Sequence, residues 1–195
     1  MAEDALEGRR LTLRALTEGD VPALLEAATA SHDALRRRLS WAAADPTLEG
    51  EAAFVERARE AAASGAALVW GVFETKGGAL AGVASLEELN PPDRGHARLA
   101  LWVRTGRADR GFATEAGKLV VEHAFKRLEL RRLSARLDPA NRAFRRVLKK
   151  LGFRYEGCLR ADKRLSARWI DQECWGMLRG DRPAPKAAKA GGKKA

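Results

Sequence analysis

The chain has 195 residues, with 36 Lys and Arg against 26 Asp and Glu and a formal net charge of +10. That length suits one domain with a sizeable core. A hydrophobic content of 46% with five Trp excludes a disordered chain, and no apolar run reaches the roughly 18 residues of a transmembrane helix.

The start, Met1-Ala-Glu-Asp-Ala-Leu-Glu7, is acidic and lacks the basic and apolar regions of a signal peptide. Cys158 and Cys174 are too few for a disulfide scaffold or a zinc site. A reducing, cytoplasmic setting is therefore expected, with no metal site and no membrane. Residues 181–195 carry five Lys or Arg and one Asp, so +4 lies in the tail and +6 in the body. The body's excess clusters in 104–110, 126–132, 142–150 and 160–168. Such a balance suits an anionic ligand, RNA or a ribosomal surface.

Leu11–Leu16 alternates apolar and polar positions and reads as a half-buried strand. Thr17-Glu-Gly-Asp20 reads as a helix start, with Val21, Leu24, Leu25 and Ala28 at helical spacing. A second helix is expected over 31–39 and a third over 48–64, with Glu49 and Glu51 favoured in its first turn by the dipole. Strands follow over 67–74 and 80–89, joined by a hairpin turn at Lys76-Gly-Gly78. Asn90–Gly95 is a loop, and 96–103 a further strand.

From His96 to Leu128 a strand ends, a short basic turn containing Gly111 follows, and a helix begins. The helix start leaves N–H groups unpaired at the positive end of the dipole, which makes an anion site. Arg107 and Arg110 add charge suited to phosphate oxygens. Along the helix, Ala113, Ala116, Gly117, Val120, Val121, Ala124 and Leu128 form one face, with ion pairs Glu115–Lys118 and Glu122–Lys126 expected on the other. A strand over 132–137, a helix from Pro139 to Leu151 closed by Gly152, and two strands over 153–165 and 167–179 complete the order. A final hairpin symmetric about Ser166 would place Cys158 opposite Cys174, as two free thiols.

The segment Arg110-Gly-Phe-Ala-Thr-Glu-Ala116 after Trp102-Val103 resembles the pyrophosphate-binding turn of the GNAT-type N-acetyltransferases, and its Ala-Thr-Glu-Ala portion is similar to the RimJ/RimL-type branch that acetylates ribosomal-protein N-termini. A second segment, Asp138-Pro-Ala-Asn141 through Lys150-Leu-Gly-Phe153 and on to Glu156-Gly157 and Leu159-Arg160, looks like the same family. Two local matches in the right order are stronger than one Gly-containing turn. The resemblance implies an α/β (α+β) fold, a mixed and mostly antiparallel central sheet flanked by helices. It implies an N-terminal extension over 1–8, an acetyltransferase domain over 9–180, and a low-complexity, disordered tail over 181–195.

The implied co-substrate is acetyl-CoA and the implied acceptor a primary amine, a protein N-terminus or a small molecule; this branch also often forms homodimers. The resemblance places the pantetheine arm along Leu101, Trp102 and Val103 and against Asn141, and the pyrophosphate on Arg107 and on the backbone from Arg110 through Gly111, Phe112 and Ala113 to Thr114. Trp102 can equally be a core residue. Trp41 matches the branch's acceptor groove.

Transfer from a thioester to an amine requires removal of an amine proton, donors for the carbonyl oxygen, and stabilisation of the leaving thiolate. Glu87 and Glu88 are the base candidates; they end a strand and should face opposite sides, and His96 is a weaker alternative that reads as a surface residue. The chain departs from the branch at Arg98, where a Glu is common, at Phe144, where a Ser is common, and at Ala108 and Asp109, where Arg or Gln and Gly are common. Tyr155 is a weak substitute for the missing acid. These departures leave open a catalytically weak acyl-CoA-binding regulatory protein, and the basic tail leaves open a nucleic-acid-associated protein.

Overall fold

The computed structural model describes residues 5–89, 95–108, 110–165 and 167–181. Their strands form one sheet in the order β1-β2-β3-β4-β5-β6-β8-β7. The strands are β1 (Leu6–Glu7), β2 (Leu11–Arg14), β3 (Leu68–Glu74), β4 (Leu80–Glu87), β5 (His96–Val103), β6 (Arg132–Leu137), β7 (Arg154–Leu165) and β8 (Arg168–Leu178). All neighbours are antiparallel except β5 and β6. The helices are α1 (Val21–Arg36), α2 (Leu48–Ser64), α3 (Phe112–Lys126) and α4 (Arg142–Leu151).

Alternation along the strands divides the core between the two faces. Leu68, Trp70 and Val72 of β3 join Ala97 and Leu99 of β5 beneath α3 and α4. Phe73 of β3 and Val83 of β4 face Val21, Leu24 and Ala27 of α1 and Val55 of α2. The helices are bounded by local chemistry. Thr47 accepts a hydrogen bond from the Gly50 N–H at 3.0 Å to start α2, and Asn141 accepts from the Phe144 N–H at 3.1 Å to start α4. Gly152, at φ 100°, closes α4 in the left-handed conformation expected of it. Arg14 donates to both oxygens of Asp20, at 2.8 and 2.7 Å, ahead of α1.

Four expectations are corrected. Helix α1 runs unbroken through the two helices read from the sequence, because Ser31 is buried at its centre and its Oγ accepts from the Thr105 N–H at 2.9 Å. Glu115 pairs with Arg10, not with Lys118; the expected Glu122–Lys126 pair is present. A register shift between Leu159 and Lys163 puts Cys158 opposite Glu173 and Cys174 opposite Gly157, so the two thiols are offset by one residue; both are free. Glu87 and Glu88 do not diverge: the chain turns at Glu88, with φ 52°, and both carboxylates bind the Arg98 guanidinium, at 2.8 and 3.0 Å. Asp109, Ser166 and the tail from residue 182 onward lie outside the described residues.

Candidate active site

The site begins where the sheet splits. β5 and β6 pair only at His96↔Arg132, Ala97↔Leu133 and Arg98↔Ser134. Beyond this β5 runs on to Val103 paired with β4, and β6 runs on to Leu137 paired with β8. The backbone of 99–103 on the side of the split therefore has no strand against it, and two cavities open from this point.

The first cavity has a volume of about 480 Å³ and lies between the split and the start of α3. Leu101, Trp102 and Val103 line it from β5, Gly111, Phe112, Ala113 and Thr114 from the turn, Asn141 and Phe144 from α4, and Arg107 from the connecting loop. Arg110 is exposed and does not line it; its carbonyl accepts a hydrogen bond from Arg10 Nη1 at 2.9 Å. Gly111 sits at φ 80°, a conformation that glycine adopts without steric cost. The N–H groups of Phe112, Ala113 and Thr114 precede the first intrahelical acceptor, Gly111 O, which takes the Glu115 N–H at 3.0 Å.

The turn is held by a residue from the far end of the chain. Glu115 accepts from the Arg10 N–H and Nε, both at 2.8 Å, and the Arg10 guanidinium lies 5.0 Å from the centre of the Phe112 ring. Burial resists ionisation of Glu115, but the Arg10 bonds and charge outweigh it and hold its carboxyl below the usual carboxylate range. Arg107 is braced by Glu74.

The wall also contains Arg38, Arg136, Arg146, Lys150 and Lys163, against one carboxylate, Asp138; the basic clusters 142–150 and 160–168 were read from the sequence, but their meeting in one cavity was not. Arg146 and Lys150 stand four residues apart on one helix face, a spacing visible in the sequence. Burial, then the nearby Arg98 charge, pushes the Lys163 ammonium below the usual lysine range, with Glu87 opposing. Cations thus outnumber carboxylates in the cavity wall, with Arg136 paired to Asp162 and Arg107 to Glu74.

The second cavity, about 620 Å³, lies between α1, α2 and the other sheet face. It shares Leu35, Leu39, Ala100, Leu101 and Trp102 with the first, so the two meet at β5. Trp41 lines it, 59% exposed at its rim on the short turn Ser40–Ala42. Trp102 thus faces both cavities while packing partly on the core, which joins the two roles read for it.

Glu87 lines this cavity and Glu88 does not; Ser85 Oγ donates to Glu87 Oε1 at 3.0 Å. Asp45 and Glu51 also line it, with Arg57 and His32. Its charge is the reverse of the first cavity's. Burial raises the Glu51 carboxyl above its usual range, with Arg57 pulling the other way. His96 lines neither cavity; its Nε2 lies 2.9 Å from Ser134 Oγ. Tyr155 also stands apart, its ring against Trp175 at 5.6 Å between centroids.

Residues 10–154 match the model of the acetyltransferase (GNAT) domain family. The chain belongs to that family. It is an N-acetyltransferase that uses acetyl-CoA as its acetyl donor. It is 29% identical over 135 residues to "Probable N-acetyltransferase YjcK" of Bacillus subtilis, a match covering 69% of this chain and 75% of the relative. Two solved structures share its fold. One is RimL, the ribosomal L7/L12 alpha-N-protein acetyltransferase in complex with coenzyme A, with a TM-score of 0.84 at 22% identity over 90% of this chain and 98% of that one. The other is Mycobacterium smegmatis RimJ in complex with CoA-disulfide, with a TM-score of 0.84 at 22% identity over 89% and 84%. The expected fold, a mixed and mostly antiparallel sheet flanked by helices, is the one observed.

Proposed function

We propose that this N-acetyltransferase acts on a protein N-terminus of the ribosomal-protein kind or on a small amine, and that the residues of the two cavities divide the work. One observation carries this reading: a cationic cavity and an anionic cavity meet at Ala100–Trp102. Acetyl-CoA, with its phosphates, suits the first, and an ammonium suits the second. In this reading the N–H groups at 111–114 and Arg107 hold the pyrophosphate. The exposed backbone of Leu101, Trp102 and Val103, together with Asn141, receives the pantetheine arm and polarises the thioester carbonyl.

Glu87 takes the proton from the acceptor ammonium, since it alone of the two base candidates lines the acceptor cavity. Glu88 then serves to fix Arg98, and through it Glu87. The neutral amine attacks the thioester carbon, the C–S bond breaks, the thiolate departs into the field of the first cavity's cations, and the second proton of the amine nitrogen leaves to solvent water, from which the thiolate is reprotonated. Phe144 has no proton to give it. Positioning and electrostatics carry more of the rate as a result. The cytoplasm is the compartment that suits acetyl-CoA and free thiols.

Titration calorimetry with acetyl-CoA, followed by thiol release over a panel of peptides and amines, tests the reading. Binding with turnover is expected. Tight binding with silence across the panel would favour a regulatory acyl-CoA-binding role, which Phe144 in the cavity wall would then explain. Replacing Glu87 with Gln should lower kcat by about 10²–10⁴-fold. Glu88→Gln should cost less than tenfold, and equal losses would remove Glu87 as the base.

A further inference from the structure

The acceptor cavity is large and lined mainly by apolar groups. Leu24 and Ala28 of α1, Phe54 of α2, Val69 of β3, Val83 of β4 and Trp102 of β5 contribute to its walls, and Trp41 stands at the rim. A volume of about 620 Å³ falls within the roughly 300–1,000 Å³ that encloses a drug-sized ligand. An amine carried on a methyl or hydroxymethyl group would leave most of this wall facing water. Apolar pockets of this kind discriminate by size, at roughly 10–200-fold per methylene.

The ionisable groups add a second restriction. Asp45, Glu51 and Glu87 line the cavity against Arg57, with His32 turned to Asp45 through Nδ1 at 3.3 Å and to the Ala42 carbonyl through Nε2 at 3.0 Å. Glu87 is further held by Ser85 and Arg98. A carboxylate placed beside the amine would meet Glu51 and Glu87 within the cavity and Asp45 at its exposed edge, against Arg57 alone; a bare ammonium would meet the same groups favourably.

We infer that the acceptor is a primary amine borne next to a bulky apolar group, aromatic or branched aliphatic, with no acidic group beside it. This rests on the reading of the second cavity as the acceptor site. Two sources present that chemistry: a free arylalkylamine, and a polypeptide whose first residue is large and apolar.

The full chain, saturated with acetyl-CoA, would be assayed by thiol release on peptides identical except for a first residue of Phe, Leu, Ala, Ser or Asp. 2-Phenylethylamine and ethanolamine provide the free-amine arm. Calorimetry of the same acceptors against the protein saturated with CoA gives binding independently of turnover. Phe- and Leu-initiated peptides should exceed the Ala- and Ser-initiated ones at least tenfold in kcat/KM, with Asp lowest. 2-Phenylethylamine should exceed ethanolamine in the same way, and the better of the two arms identifies the source. Ala28→Leu, which narrows the cavity, should lower kcat/KM for the preferred acceptor at least tenfold more than for the Ala-initiated peptide, with acetyl-CoA affinity in calorimetry as the check that the fold is intact. Glu51→Gln should raise KM for the preferred amine.

Equal or better transfer to small or acidic acceptors would overturn this inference and leave the acetyltransferase reading standing. Selective binding of apolar amines without transfer would support the inference and remove the catalytic one. Neither binding nor transfer would remove both.

Discussion

At Gly111 the backbone holds φ 80°, and a Cβ placed there would lie 3.4 Å from Arg10 Nη2. Gly111→Ala should weaken acetyl-CoA about tenfold, because a side chain in this region costs roughly 1–2 kcal/mol. Gly111→Glu adds to that backbone cost a carboxylate that competes with Glu115 for Arg10 and should abolish binding in calorimetry, with far-UV circular dichroism unchanged. Arg10→Gln should raise the acetyl-CoA Kd by about tenfold, since charge-assisted hydrogen bonds contribute roughly 1.5–3 kcal/mol and this residue braces both Glu115 and the Arg110 carbonyl. The glycine was legible in the sequence because a Gly between a strand and an amphipathic helix has a mechanism attached. The arginine was not. It lies 105 residues from Glu115, and no spacing rule spans that distance, so the sequence offers Lys118 as the nearer partner. Glu87 and Glu88 were found together but misplaced, because strand alternation fails at the turn at Glu88.

Helix α2 was bounded correctly from the sequence, where Glu49 and Glu51 mark its first turn; the Thr47 cap fixes the same start in the structure. Strands β5 and β6 were also bounded correctly. Helix α1 was split at Ser31, a small polar residue that interrupts the apolar spacing. Its role is tertiary: it holds the Thr105 N–H, so α1 is tied to the loop that leads into the phosphate turn. Glu26 on the same helix binds Arg104 at 2.6 Å. Ser31→Ala should lower unfolding free energy by about 1 kcal/mol in urea titrations and weaken acetyl-CoA as well. A change in stability with no change in Kd would show that the tie does not position the loop.

The entry to α1 gives a pH signature. The Arg14 hydrogen bond, aided by the Thr17 N–H and hydroxyl and opposed by burial, lowers the Asp20 carboxyl to about 2 from the usual 3.8. The folded state thus favours the carboxylate. Its contribution, about 2 kcal/mol, is complete above about pH 5 and is lost as the pH falls through 4 toward 2. Stability curves over that range should be steeper for the parent than for Asp20→Asn.

For the whole molecule, the order of elements was legible because each carries its own period, and the division of the sheet into two core faces followed from alternation. The split between β5 and β6 was not legible, since it reflects where pairing stops and not what either strand contains. Nor were the opposed charges of the two cavities, which gather residues from α1, α2, α4 and β7. Acetyl-CoA at a hundred times its Kd should stabilise the fold by about 2.7 kcal/mol, which for a domain of this size raises Tm by roughly 5–10 °C. Thermal scans with and without the cofactor check this, and a flat response would mean the first cavity does not take it.

The common wall of Leu35, Leu39 and Ala100–Trp102 has a kinetic and a pharmacological consequence. Because the two cavities share this wall, donor and acceptor fit side by side, and direct transfer between them predicts double-reciprocal plots that intersect rather than run parallel. A single compound joining CoA through its sulfur to an apolar amine would span the wall and occupy both cavities. The second half would then bind at an effective concentration in the millimolar range, and competition against each substrate separately would reveal it as an inhibitor of both.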